Sequence, residues 1–163
     1  MPEVIFLGED IAEVRLEDWI DKLKSAAETA PYRRARLCLH HDHTDLVHEM
    51  FIVFCKDSIV PIHKHLNKSE SFHVIEGELD VVIFDDEGNL VRRVEMGPPG
   101  SGKSFLYRMS VDAWHSVIPR SDYVAIHETT TGPFEADDCA YAPWVEYEDE
   151  ALRTFLTKSG ACR

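Results

Sequence analysis

The chain has 163 residues, about one domain's worth, and carries 17 Lys and Arg against 30 Asp and Glu, a formal charge of −13. That balance argues against duplex nucleic acid or an anionic membrane surface as the main partner, because both need a basic patch. Hydrophobic residues make up 44% and aromatic residues 10% of the chain, the composition of a packed core rather than of disorder; the longest apolar runs, Met50 to Cys55 and Val81 to Phe84, are far below the roughly 20 residues that span a bilayer.

The first ten residues lack the basic region and apolar core of a secretory signal, so a cytoplasmic protein is expected. Residues 10–30 read as one helix. Ile11, Val14, Trp19, Ile20 and Leu23 recur near helical spacing, acidic residues precede Lys22 and Lys24, and Pro31 ends the run. A basic stretch follows (Arg33, Arg34, Arg36), then a histidine-rich segment from His40 to His48. From there the chain changes character. Short β-branched and aromatic runs at 47–55, 59–65, 70–76, 79–84, 90–95, 104–109, 114–118 and 122–130 alternate with turn residues. This even spacing predicts a mainly all-β fold, an antiparallel barrel or sandwich with an N-terminal helix and an irregular tail. The tail after Gly132 ends in a predicted short helix near 148–157, beside an acidic cluster from Glu146 to Glu150 that reads as a solvated face. No internal repeat or linker divides the chain, so a single domain over 1–163 is expected. Cys38, Cys55, Cys139 and Cys162 are far apart, without a zinc-ribbon spacing, and read as free thiols.

The central chemical signal is His63-Lys64-His65, then Glu70 and Gly77. In a strand, residues i and i+2 point to the same side, so His63 and His65 aim two imidazoles at one point. Glu70, opening the next strand, returns a carboxylate to it, and a later strand brings His115. Three imidazoles and one carboxylate suit a single divalent first-row ion (Fe, Mn, Ni, Co or Zn). Four protein donors leave positions open on a six-coordinate ion, the requirement of Lewis-acid or oxygen chemistry rather than of a closed structural site.

These residues resemble the cupin superfamily. His63, His65, Glu70 and Gly77 fit its first motif, G-x5-H-x-H-x3/4-E-x6-G, with Asp57 in place of the leading glycine. Of the second motif only His115 is kept, with Ser110, Asp112 and Pro119 where Pro, Gly and Asn are usual. Over roughly residues 33–145 the chain also looks like the WbuC-type cupin metalloproteins. The matching segments are Arg34 to His40, Phe84 to Gly88, Trp114-His115, Glu128 with Gly132-Pro133-Phe134, and Ala140 to Trp144. The resemblance implies a cupin barrel, a bound metal and a link to O-antigen genes, without a settled reaction. It favours Arg36 and His40 as ligand-orienting residues and Glu128 as a proton-transfer group. Arg34 and Arg36 could clamp a carboxylate or phosphate bidentately. The small-molecule ligand is therefore expected to be sugar-like or anionic. An open-site metalloenzyme and a non-catalytic sensor or binding module use the same donors. Outer strand faces, where His73 and Ile75 alternate with the ligand face, leave room for a homodimer.

Gly97 to Ser104 matches the phosphate-loop string G-x4-G-K-S. That loop needs a helix after it, and Phe105 to Asp112 has no helical stripe, so a glycine-rich strand connector is expected instead of a nucleotide site.

Overall fold

A computed structural model describes residues 1–146 and 149–161 of the chain. In chain order its elements are β1 (Val4–Phe6), α1 (Leu16–Thr29), β2 (Arg34–Cys38), β3 (Val47–Cys55), β4 (His63–His65), β5 (Glu70–Glu76) and β6 (Leu79–Phe84). There follow β7 (Leu90–Met96), β8 (Leu106–Met109), β9 (Trp114–Pro119), β10 (Tyr123–Thr131), β11 (Cys139–Tyr141) and α2 (Asp149–Lys158). Two sheets form, with orders β1-β2-β3-β10-β5-β8 and β11-β4-β9-β6-β7. Among the described residues β1 and β2 pair in parallel and the other strand pairs are antiparallel.

β3 shows how the sequence writes this architecture. Its even-numbered residues Met50, Ile52 and Phe54 enter the core between the sheets, beside Phe72, Val74, Leu79, Val81, Val117, Val124 and Ile126. Its odd-numbered residues Phe51, Val53 and Cys55 pack on the other face against Leu23, Ala26 and Ala27 of α1. A strand covered on both faces reads as an unbroken apolar run, which is what Met50 to Cys55 is. On the outside of the other sheet, Val82, Phe84, Trp114 and Ile118 are covered by Leu152 and Leu156 of α2 and by Ala142 of the tail.

Several elements differ from the sequence-based expectation. The helix begins at Leu16, not at residue 10. Val14 still packs on the α1 cluster, but from an irregular segment, and the N-terminus instead adds β1 beside β2. The basic stretch from Arg34 is itself a strand, β2. Within 59–65 only His63–His65 is strand. Glu148 of the acidic tail cluster and Cys162 lie outside the described residues.

The Gly97–Ser104 string is a connector between β7 and β8. Gly97 N–H donates to the Ser104 carbonyl at 3.0 Å, and the Lys103 ammonium is committed to Glu78. The chain then enters β8 without a helix, so no helix N-terminus is present to cradle a phosphate, as expected of a strand connector. No helix of the described residues is long and apolar enough to cross a membrane.

Gly77 closes β5 with φ +77°, and a Cβ there would lie 2.2 Å from the Tyr123 carbonyl oxygen. Left-handed backbone costs an L-residue about 1–2 kcal/mol before that clash is counted. Gly77→Ala is therefore expected to destabilise the fold by more than about 2 kcal/mol and to lower Tm by roughly 5 °C or more, read by thermal denaturation. A variant melting within a degree of the parent would refute this account of the turn.

Candidate metal centre and its cavity

β4 and β9 are neighbours, with His63 directly opposite His115. Cross-strand partners project to the same face, so the two rings meet, their centroids 4.4 Å apart. His65, two residues along β4, lies 4.8 Å from His63 and 5.6 Å from His115, ring to ring. Glu70 comes from β5 in the opposite sheet. Its carboxylate is 3.2 Å from His115 Nε2 and 3.5 Å from His65 Nε2. Residues 63, 65, 70 and 115 are thus brought to one point from both sheets.

The imidazoles are oriented by the backbone. His63 Nδ1 lies 2.7 Å from the Pro61 carbonyl and His115 Nδ1 lies 2.9 Å from the Ala113 carbonyl. In each ring Nδ1–H donates to that carbonyl, which leaves the Nε2 lone pair facing inward, the tautomer a metal ligand needs. The loop feeding His115 is anchored by Asp112, whose carboxylate accepts the Asn67 N–H at 2.9 Å. That contact explains how an aspartate serves where the resemblance has glycine. Trp114 faces the other way and donates its indole N–H to Asp86 at 2.8 Å.

Electrostatics at this point are strongly coupled. Burial lowers the His63 pKa to about 3, with His115 adding to the effect. Burial also opposes a charge on His65, but its hydrogen bonds to Cys139 and Glu70 and the Glu70 charge prevail and raise it to about 10. Desolvation works against the Glu70 carboxylate, yet His115 and His65 hold it well below the usual range. Glu70 is 3% exposed, and its Oε1, though close to His115, has no aligned hydrogen bond. A buried carboxylate oxygen without an aligned donor, set among imidazole nitrogens, is the arrangement that a bound cation completes. Two donor groups, His65/Glu70/His115 and His63/His65/Cys139, each lie within 4.8 Å and share His65. The residues present fit a divalent ion.

The cluster lines a cavity of about 590 Å³ between the sheets. Arg34 and Arg36, alternating on β2, line the same cavity, as do Tyr32, Glu128, Cys139 and Tyr141. Among the described residues neither guanidinium has a carboxylate within 4.0 Å, and Arg36 donates to Met50 Sδ at 3.9 Å. Burial, together with the neighbouring Arg36 charge, lowers the Arg34 pKa. Glu128 lines the cavity, whereas its neighbour His127 points away and lies 3.6 Å from Glu49. His40 does not line the cavity. It is stacked on His48, centroids 4.2 Å apart, with Nδ1 3.2 Å from the Glu49 carbonyl. Cys139 and Tyr141 were not singled out. Their i, i+2 spacing is the signal, but a three-residue strand leaves too little alternation to recognise.

A family model described as a domain of unknown function (DUF6016) matches residues 16–96, which contain His63, His65 and Glu70 but not His115. No curated protein matches the sequence. An oxalate oxidase in complex with the substrate analogue glycolate is similar over 83% of this chain and 76% of its own, at 15% identity and a TM-score of 0.54. A protein from Shewanella oneidensis is similar over 73% of each chain, also at 15% identity and a TM-score of 0.54. The fold is that of the cupins. A cupin superfamily protein from Desulfitobacterium hafniense also aligns, over 67% of this chain and 86% of its own, at 13% identity and a TM-score of 0.49.

Glu128 supplies a test of the cavity's electrostatics. Burial first, then repulsion from Glu70, raises its pKa from 4.5 to about 7. The folded chain thus keeps a proton that the unfolded chain loses between these values, so stability falls as pH rises through that window. In metal-free protein Glu128→Gln is expected to be stabilising at pH 8, by up to about 3 kcal/mol, and nearly neutral at pH 4. Thermal melts of both proteins at the two pH values check this; an equal effect at both would show that Glu128 is solvated.

Proposed function

We propose that this chain is a cupin-type metalloprotein that acts on a small anionic ligand, the ion being held by His63, His65, Glu70 and His115. One observation carries the reading. A cluster of inward-facing imidazoles and a buried carboxylate lies in the same cavity as two guanidiniums that, among the described residues, have no carboxylate within 4.0 Å. A divalent ion bound there supplies Lewis acidity toward a ligand oxygen. Arg34 and Arg36 bind the ligand's carboxylate or phosphate through their paired N–H donors and fix its orientation. Glu128, a carboxyl poised near neutral pH, takes or gives a proton at the ligand. A carboxylated or phosphorylated sugar presents both a metal-binding hydroxyl or carbonyl oxygen and an anionic group for the arginines. The WbuC-type resemblance and its link to surface polysaccharide chemistry belong to the same reading.

Elemental analysis of the purified protein is expected to give about one divalent ion per chain, with His63→Ala retaining less than about a tenth of it. Protons compete with the ion for the imidazole nitrogens and the carboxylate, so metal content is expected to fall as pH is lowered. Metal content unchanged in His63→Ala, or unchanged down to pH 4, would overturn the assignment. Sugar phosphates and sugar acids are expected to raise the Tm of the metal-loaded parent and not that of Arg36→Gln. Turnover of the stabilising ligand would make the protein an enzyme; stabilisation without turnover would make it a binding module.

A further inference from the structure

β11 is hydrogen-bonded to β4 with Cys139 opposite His65 and Tyr141 opposite His63. Cross-strand partners share a face, so the Cys139 thiol lies on the cavity side of the sheet, and it lines that cavity beside both histidines. Its Sγ and the ring nitrogens of His63 and His65 all lie within 4.8 Å of one another. An ion bonded at about 2.0–2.1 Å to nitrogen and about 2.3 Å to sulfur spans at most about 4.4 Å between such donors. Side-chain rotations that move the donor atoms by about an ångström bring all three onto a common ion. Among the described residues Cys139 forms no disulfide, and it lies beside His65, the residue shared by both donor groups. Cys38 and Cys55 are built into the two apolar clusters instead.

We propose that Cys139 is a further ligand of the metal centre, coordinating as a thiolate to the ion held by the histidines and Glu70. The inference rests on the metal assignment above. On coordination the thiol proton leaves to solvent and a metal–sulfur bond forms, with no change in oxidation state. A sulfur donor softens a centre otherwise made of nitrogen and oxygen, so the site favours Co(II), Zn(II) or Ni(II) over Mn(II). The thiolate also adds a negative charge to the ion, which tempers its Lewis acidity.

The test uses metal-free full-length protein, its Cys139→Ser and Cys139→Ala variants, and anaerobic titration with Co(II) or Mn(II). Electronic absorption and metal content are read, and circular dichroism shows that the variants are folded. The expected result is a near-ultraviolet thiolate-to-cobalt charge-transfer band in the parent and in neither variant. All three proteins should take up Co(II), the variants about tenfold or more weakly, with Mn(II) affinity changed much less. Cobalt uptake by the parent without a sulfur band, or a band that survives in either variant, would overturn the thiolate while leaving the histidine and carboxylate centre in place. A parent that binds no Co(II) would overturn both.

Discussion

Keeping the Glu70 carboxylate buried is the constraint around which this molecule is arranged. Taking an ion out of water costs several kcal/mol unless opposite charge and hydrogen bonds replace the solvent. Here His65 and His115 stand within 3.5 Å of it, and they come from the facing sheet. The site is thus not grafted onto a finished sandwich. The closing of the two sheets and the compensation of Glu70 are one event, and β4, β5 and β9 must hold their registers for either to happen. The turn at Gly77, which ends β5 against the Tyr123 carbonyl, sets where that strand can start and stop.

Around that point the cavity is divided by chemistry. The sheet carrying β4, β9 and β11 supplies imidazoles and a thiol; the sheet carrying β2 and β10 supplies two guanidiniums and a carboxyl. The chain as a whole carries −13, so the long-range field repels an anionic ligand and the local pair of arginines must overcome it. Guanidiniums in a low-dielectric cavity do this at short range, where salt screens least. Recognition would then depend on Arg34 and Arg36 more than on diffusion toward the surface.

Much of the fold was legible because burial imposes a period on the sequence. The runs at 47–55, 70–76 and 79–84 coincide with β3, β5 and β6, since each has at least one apolar face against a continuous core. β2 was not legible for a physical reason. Arg34 and Arg36 occupy its inward positions, so a strand that lines a polar cavity reads as a basic loop. β11 was too short to carry a pattern, and with it went Cys139 and Tyr141. For His40 the sequence gives no direction, because a histidine in a polar segment follows no alternation; in the structure its ring stacks on His48.

The sequence by itself determined the spacing His63, His65, Glu70 and Gly77, because strand alternation is local: two imidazoles on one face follow from two residues of separation, and the carboxylate from one turn. It also determined that the Gly97–Ser104 string has no helix after it. Only the tertiary structure decided that position 115, among nine histidines, stands opposite His63, that the arginines of β2 face inward, and that Cys139 is registered on His65. Those relations join residues tens of positions apart. They are set by which strands pair and in what register, a choice made by packing of the whole core rather than by any neighbouring residue.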